Sequence, residues 1–311
     1  MLKFDKMKIV SKIDDISNIN KNMFTSNAKG GNLLYYKYLQ SKPFYLLILV
    51  DYLKNELVIE FSGKILLDNY KDLININSIR QCINEINKLG ICTINMDGII
   101  YHAYVVKCDV TKDVPIDNFH AIIGQIRQTL SNYRKWTCRD YANGVVLENT
   151  VKTPKYKKRL IIYEKENELQ RASNDDFLSA VTNREDLLNS FKGIVRFELN
   201  INTMAQIRSL LNIESTSLMA VLLSAANPIL EVVNQAIKEF VPQKQCDNLR
   251  DYERSLLLKE CGYDLVAVEA KVRELISKNT PIKRVMQPYA ELYQRLKGAT
   301  NVGTDIRLLV S

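Results

Sequence analysis

The chain has 311 residues, 46% of them hydrophobic, and 43 Lys and Arg against 35 Asp and Glu leave a net charge of +8. That is enough apolar material for a sizeable core, with two domains expected. No apolar run is long enough to span a bilayer, and the N-terminal MLKFDKMKIVSKIDD lacks the features of a signal peptide. A cytoplasmic protein without membrane contact is therefore expected, with its six cysteines (no CxxC pair) as reduced thiols. Its two histidines, His102 and His120, are too far apart for a zinc site or a two-histidine nickase motif.

In chain order, residues 1–40 are polar, carry SNAKGGN (26–32), and read as an N-terminal arm or an early strand. PFYLLILVDY (43–52) and ELVIEFSGKILL (56–67) read as strands joined at Lys54-Asn55. Asn77 or Ser78 caps a helix whose Ile79, Cys82, Ile83 and Ile86 form a buried stripe, and Gly90 ends it. ICTINM (91–96) and IIYHAYVVKCDV (99–110) flank Asp97-Gly98, a hairpin signal. A second helix over 118–135 turns Phe119, Ile122, Ile123, Ile126 and Leu130 inward. GVVLEN (144–149) then pairs with a strand around Tyr163 across a basic loop, and a polar helix over 174–190 leads to a last strand, GIVRFELNI (193–201).

Beyond residue 203 strand signals vanish. Helices are expected over MAQIRSLLNI, SLMAVLLSAA, a segment capped by Asn227 with Pro228 first, and then 249–261, 264–277 and 281–297 with a kink at Pro288. The last three suit a helix-turn-helix DNA reader or a small dimerisation bundle equally well, and the final DIRLLVS reads as an added strand. The order ββαββ then αββαβ predicts an α+β fold: an antiparallel sheet with helices on one side, open to construction as two similar halves, followed by an all-α C-terminal region. The expected division is an arm (1–40), a sheet domain (41–202) and a helical domain (203–311).

Three strands carry the chemistry. KKRLIIYEKENE (157–168) alternates so that Lys157, Arg159, Ile161, Tyr163 and Lys165 share one face. VVKCDVTKDV (105–114) puts Lys107, Asp109, Thr111 and Asp113 on one face. GIVRFELNI sets Arg196, Glu198 and Asn200 opposite Val195, Phe197 and Leu199. Taken singly, each is an ordinary half-exposed strand. Positive charge gathers beside the tyrosine, with Lys152, Lys155, Lys157, Lys158 and Arg159 leading into it and Arg127, Arg134 and Lys135 on the preceding stretch, as a phosphodiester backbone would require.

The ordered trio KCDVTKD (107–113), KRLIIYEKENE (158–168) and VRFELNI (195–201) resembles the replication initiation factors of rolling-circle plasmids and the gene-II-type replication proteins of phages and plasmids, over about residues 40 to 205. The resemblance implies that Tyr163 nicks one strand at an origin, becomes linked to the 5′ phosphate and frees a 3′ hydroxyl that primes synthesis. It implies origin DNA as partner, single-stranded or hairpin at the nick, with a homodimer and a host helicase as further partners. Asp109 and Glu198 correspond to acids of the family's other two motifs. The sequence departs from the family where a Gly-Ser-Arg-like turn often precedes the tyrosine strand; Thr150 to Pro154 stand there instead.

The residue chemistry agrees. A phenol is a poor nucleophile at neutral pH unless cations stabilise its phenolate, and a divalent ion would neutralise charge on the scissile phosphate. Lys165 is the expected activating or phosphate-clamping cation, with Arg159 and Arg196 as second candidates. Carboxylate ligands favour Mg²⁺ or Mn²⁺. Asp109 and Glu198 are the chosen ligands, Glu168 a third ligand or a base, and Asp113 a weaker candidate, because four residues of strand set it about 13 Å from Asp109. Lys155, Lys157, Lys158, Arg159, Arg196 and Tyr156, the last as a base-stacking aromatic, are the expected DNA contacts. A mobilisation relaxase with the same chemistry would call for a histidine cluster, which is missing. A non-catalytic origin-binding protein would not need Tyr163.

Overall fold

A computed structural model describes residues 1–129, 135–141, 143–151, 153, 156–236, 246, 248–277, 279–296 and 306–311. The chain opens with β1 (Lys3–Lys12), β2 (Ile16–Ser17), β3 (Thr25–Lys29), β4 (Asn32–Gln40), β5 (Leu46–Asp51) and β6 (Glu56–Ser62). Residues 1–40 thus take the early-strand alternative and not the arm. The alternation of Phe4, Met7 and Ile9, each fully buried, carries β1 into the middle of the sheet between β6 and β8 (Tyr104–Pro115). The turn after β5 uses Asn55 at φ 57°, a left-handed position that asparagine tolerates.

After β6 the chain does not continue as a strand to residue 67; Gly63–Asp72 forms short 3-10 turns. Then follow α1 (Ile79–Lys88), with the expected stripe buried, β7 (Thr93–Ile94) and α2 (Met96–His102). The Asp97-Gly98 hairpin is not formed. Asn95 caps α2 by accepting from the Gly98 amide, and a Cβ on Gly98 would lie 1.9 Å from Asp15 Oδ1. This glycine therefore serves a close helix approach, not a turn.

The second half comprises α3 (Phe119–Thr129), β9 (Trp136–Tyr141), β10 (Gly144–Asn149), β11 (Arg159–Glu164), α4 (Lys165–Leu169), α5 (Asp175–Ala180), α6 (Arg184–Ser190) and β12 (Ile194–Ile201). The expected strand over 157–168 ends at Glu164, and the single helix expected over 174–190 is two. One antiparallel sheet runs in the order β3-β4-β5-β6-β1-β8-β12-β11-β10-β9. Each half is a meander whose last strand returns beside its first: β6 beside β1, β12 beside β8. Two similar five-stranded halves thus meet where Met7 faces Cys108.

The apolar face of the sheet packs against α1, α2 and α3. It also packs against α7 (Met204–Leu211), α8 (Leu218–Leu223), α9 (Pro228–Ala236) and α13 (Ile306–Val310). The C-terminal IRLLV is a helix, not an added strand. The region beyond 203 is helical, as expected, but its first three helices share the sheet's core. Only α10 (Leu249–Glu260), α11 (Leu265–Leu275) and α12 (Ile282–Leu296) close a core of their own, around Leu258, Val268, Met286 and Tyr293. On the polar face, residues 63–73 and α4–α6 form a small cover around Tyr70, Leu169, Phe177 and Phe191. The remainder of that face carries lysines, arginines and acids.

Candidate active site on the polar face of the sheet

β12 lies between β11 and β8, and the register fixes which polar side chains meet. Arg196 pairs with Tyr163 on one side and Asp113 on the other, Glu198 with Ile161 and Thr111, and Asn200 with Arg159 and Asp109. Side chains on one face of a strand lie two residues apart, so neighbouring rows can touch. Tyr163 Oη donates to Glu198 Oε2 at 2.9 Å, and Asn200 Nδ2 donates to Glu198 Oε1 at 3.3 Å and to Asp109 Oδ1 at 2.9 Å. Tyr163, Glu198, Asn200 and Asp109 form one continuous hydrogen-bonded chain across three strands. Three of these four are expected site residues, and Asn200 is the link that the sequence placed on the face without a role.

Burial sets the electrostatics. Asp109 is 8% exposed, and desolvation pushes its carboxyl up to about 6, opposed by the Asn200 hydrogen bond. Glu198 is pushed up to about 7, first by burial and then by the charges of Asp5 and Asp109. The Tyr163 phenol is 6% exposed and held well above its ordinary value by burial and by Glu198.

Two oxygen-donor carboxylates, both raised chiefly by burial and bridged by the Asn200 amide, suit a hard divalent cation, whose charge would ionise both. Asp109 and Glu198 are the pair that would hold Mg²⁺ or Mn²⁺. Among the described residues no three His, Cys, Asp or Glu side chains gather as a ligand group.

The other expected ligands are engaged elsewhere. Asp113 accepts from Arg196 Nε and Nη2, both at 2.7 Å, because the β8–β12 register sets them opposite each other. Arg196, expected to contact DNA, is fully buried: its Nη1 also donates to Asp5 Oδ1 and to Tyr70 Oη, both at 2.8 Å. Glu168 leaves the strand because α4 begins at Lys165. It accepts from Lys165 Nζ at 2.5 Å and from Asn174 Nδ2 at 3.1 Å, and burial is outweighed by Lys165 and Lys64, which hold its carboxyl at about 2.

Lys165 is 1% exposed. Its ammonium lies 5.6 Å from the centre of the Tyr163 ring and 5.0 Å from that of Tyr70. It faces the ring and is paired with Glu168. Asp5 and Tyr70 have no counterpart in the sequence reading; both arrive from the first half of the chain, Asp5 at a shift in the β1–β8 register between Phe4 and Lys6.

Of the expected DNA contacts, Arg159 and Tyr156 are exposed, and Lys157 and Lys158 partly so. Lys157 is ion-paired with Glu148, and Lys158 donates to Gln235 at 2.9 Å. Lys152, Lys155 and Arg134 lie outside the described residues, as does the side chain of Arg127. No family model, curated protein or solved structure matches the chain.

Proposed function

We propose that this protein is a rolling-circle replication initiator, a metal-dependent tyrosine endonuclease and strand transferase acting on origin DNA. The observation that carries the reading is the chain Tyr163–Glu198–Asn200–Asp109, in which a phenol donates to a carboxylate that shares a hydrogen-bond donor with a second carboxylate. Glu198, which accepts the hydrogen bond from Tyr163 Oη at 2.9 Å, is placed to take the phenolic proton as Oη attacks phosphorus. The bond from phosphorus to the 3′ oxygen breaks, the 3′ oxygen leaves with a proton from solvent, and the 5′ phosphate stays on Tyr163. A bound Mg²⁺ or Mn²⁺ would neutralise charge on the phosphate. Exposed Arg159 and Tyr156 beside the tyrosine strand support contact with the DNA.

The test is a supercoiled plasmid carrying the cognate origin, incubated with protein and Mg²⁺ or Mn²⁺. Tyr163→Phe should abolish nicking and the covalent adduct and retain DNA binding. An adduct formed by Tyr163→Phe removes the residue as nucleophile. The low exposure of Tyr163 favours one competing reading, a sheet that binds the origin without cutting it; unchanged replication with Tyr163→Phe would select it. The bundle α10–α12, with its own core, is proposed as the duplex-reading or dimerising element. A cytoplasmic location and engagement of a host helicase belong to the same proposal.

A further inference from the structure

Two of the cations nearest the nucleophile are already engaged. Arg196 makes four hydrogen bonds to Asp113, Asp5 and Tyr70, and Lys165 is closed in with Glu168. A third cation, Arg171, stands apart. Its terminal nitrogen Nη2 is shut off from solvent and finds no acceptor among the described residues. Buried donors in native proteins are nearly always paired, and an orphaned one calls for an explanation.

Two hydrogen bonds hold the backbone of Arg171. It follows α4, its amide donates to the Glu168 carbonyl at 3.3 Å, and its carbonyl accepts from the Asn174 amide at 2.8 Å. The guanidinium carbon lies 5.9 Å from the centre of the Tyr141 ring. In the sheet Tyr141 faces Gly144, and Gly144 faces Tyr163. Gly144 carries no side chain, so nothing projects from β10 between the two tyrosines on that row. The Tyr141 hydroxyl is raised chiefly by burial, with Glu198 and Glu168 adding and Arg171 and Arg159 opposing. Directly paired residues share a face, so the guanidinium beside Tyr141 lies on the same side of the sheet as Tyr163.

We propose that Arg171 is the phosphate clamp of this site, its guanidinium engaging the non-bridging oxygens of the phosphodiester that Tyr163 attacks. A planar guanidinium can meet two phosphate oxygens at once, and its charge compensates the charge that builds as the Oη–phosphorus bond forms. Arg171 forms no covalent bond and moves no proton. Tyr141, partly exposed beside it, is the side chain that would turn aside as the phosphate enters. The inference rests on the nickase reading for its substrate, but the anion site itself can be measured separately.

Two measurements test it. The first follows binding of inorganic phosphate, by calorimetry and by the rise in melting temperature, for the wild-type chain, Arg171→Lys and Arg171→Ala. The wild type should bind, Arg171→Lys should bind more weakly and Arg171→Ala not at all. The second follows adduct formation on origin DNA: Arg171→Ala should slow it by about 10²-fold while single-stranded DNA affinity falls by less than about 10-fold, with a salt dependence smaller by about one phosphate contact. Arg171→Gln, checked by its circular dichroism and cooperative melting, covers the case in which the alanine variant misfolds. Absence of phosphate binding by the wild type, equal binding by Arg171→Ala, or an unchanged adduct rate overturns the clamp. Phosphate binding lost with Arg171, in a wild-type chain that forms no adduct, supports the anion site and removes the nickase reading instead.

Discussion

The hydroxyl of Tyr163 and the carboxylate of Glu198 are joined at 2.9 Å although their residues sit on different rows of adjacent strands. Burial first and the charge of Glu198 second hold the phenol neutral, and the bond places a proton acceptor where deprotonation would occur.

The pH dependence of stability should reveal that pair. Glu198 and Asp109 hold protons up to about 7 and about 6, above ordinary carboxyl values of 4.5 and 3.8. The folded chain therefore keeps protons that the unfolded chain has released. Their contribution is fully present below about pH 4 and is lost as pH rises through 6 and 7. Glu198→Gln removes much of this loss. In urea unfolding without divalent ions, its stability relative to wild type should rise between pH 5 and pH 8 by about 1–3 kcal/mol. A difference that is flat across that range would contradict the raised carboxyl.

Metal dependence should single out two acids among four. Chelation should stop adduct formation, and added Mn²⁺ should restore it. Asp109→Asn should raise the Mn²⁺ concentration needed for half-maximal rate by at least the roughly 10–100-fold typical of lost supporting contacts at metal sites, and Asn200→Ala should act in the same direction. Asp113→Asn and Glu168→Gln should leave that concentration unchanged, because their carboxylates are held by Arg196 and Lys165.

Arg196 and Asp113 should behave as a structural pair. Asp113→Ala leaves a fully buried guanidinium short of its bidentate partner and should cost about 3–5 kcal/mol in chemical denaturation. Arg196→Met combined with Asp113→Ala should be less destabilised than the sum of the single changes, read as a coupling energy in a double-mutant cycle.

Gly144→Ala tests the close approach beside the nucleophile. Its Cβ would lie 2.2 Å from the Ile162 carbonyl oxygen and 2.8 Å from Tyr163 Cβ, so β10 and β11 must shift. A loss of about 1–3 kcal/mol is expected from the overpacking, together with slower adduct formation by a protein that still melts cooperatively.

Much of the site was legible because alternation is a local property. The apolar partners Val195, Phe197 and Leu199 dictate that Arg196, Glu198 and Asn200 face the other way, and the same logic orients Asp109 and Tyr163. Register is not local. Whether Arg196 meets DNA or Asp113 depends on how β8 slides against β12, and nothing within either strand states it. Asp5 and Tyr70 reach Arg196 from far along the chain, one of them at a register shift. The ends of elements were hard to read for a related reason: Lys165 continues the strand alternation on paper but starts α4, and IRLLV is too short for its periodicity to separate a helix from a strand.

The junction of β1 with β8 is a natural place to divide the molecule. Two separately made pieces, parted near residue 103, would each carry five strands of the large sheet and one newly bared edge, so each should find the other more readily than it stays single. The second piece would hold Tyr163, Glu198 and Asp109 yet lack Asp5 and Tyr70, leaving Arg196 half-compensated. Reassembly of the two pieces would therefore be required before the phenol and its carboxylates sit as they do in the intact chain.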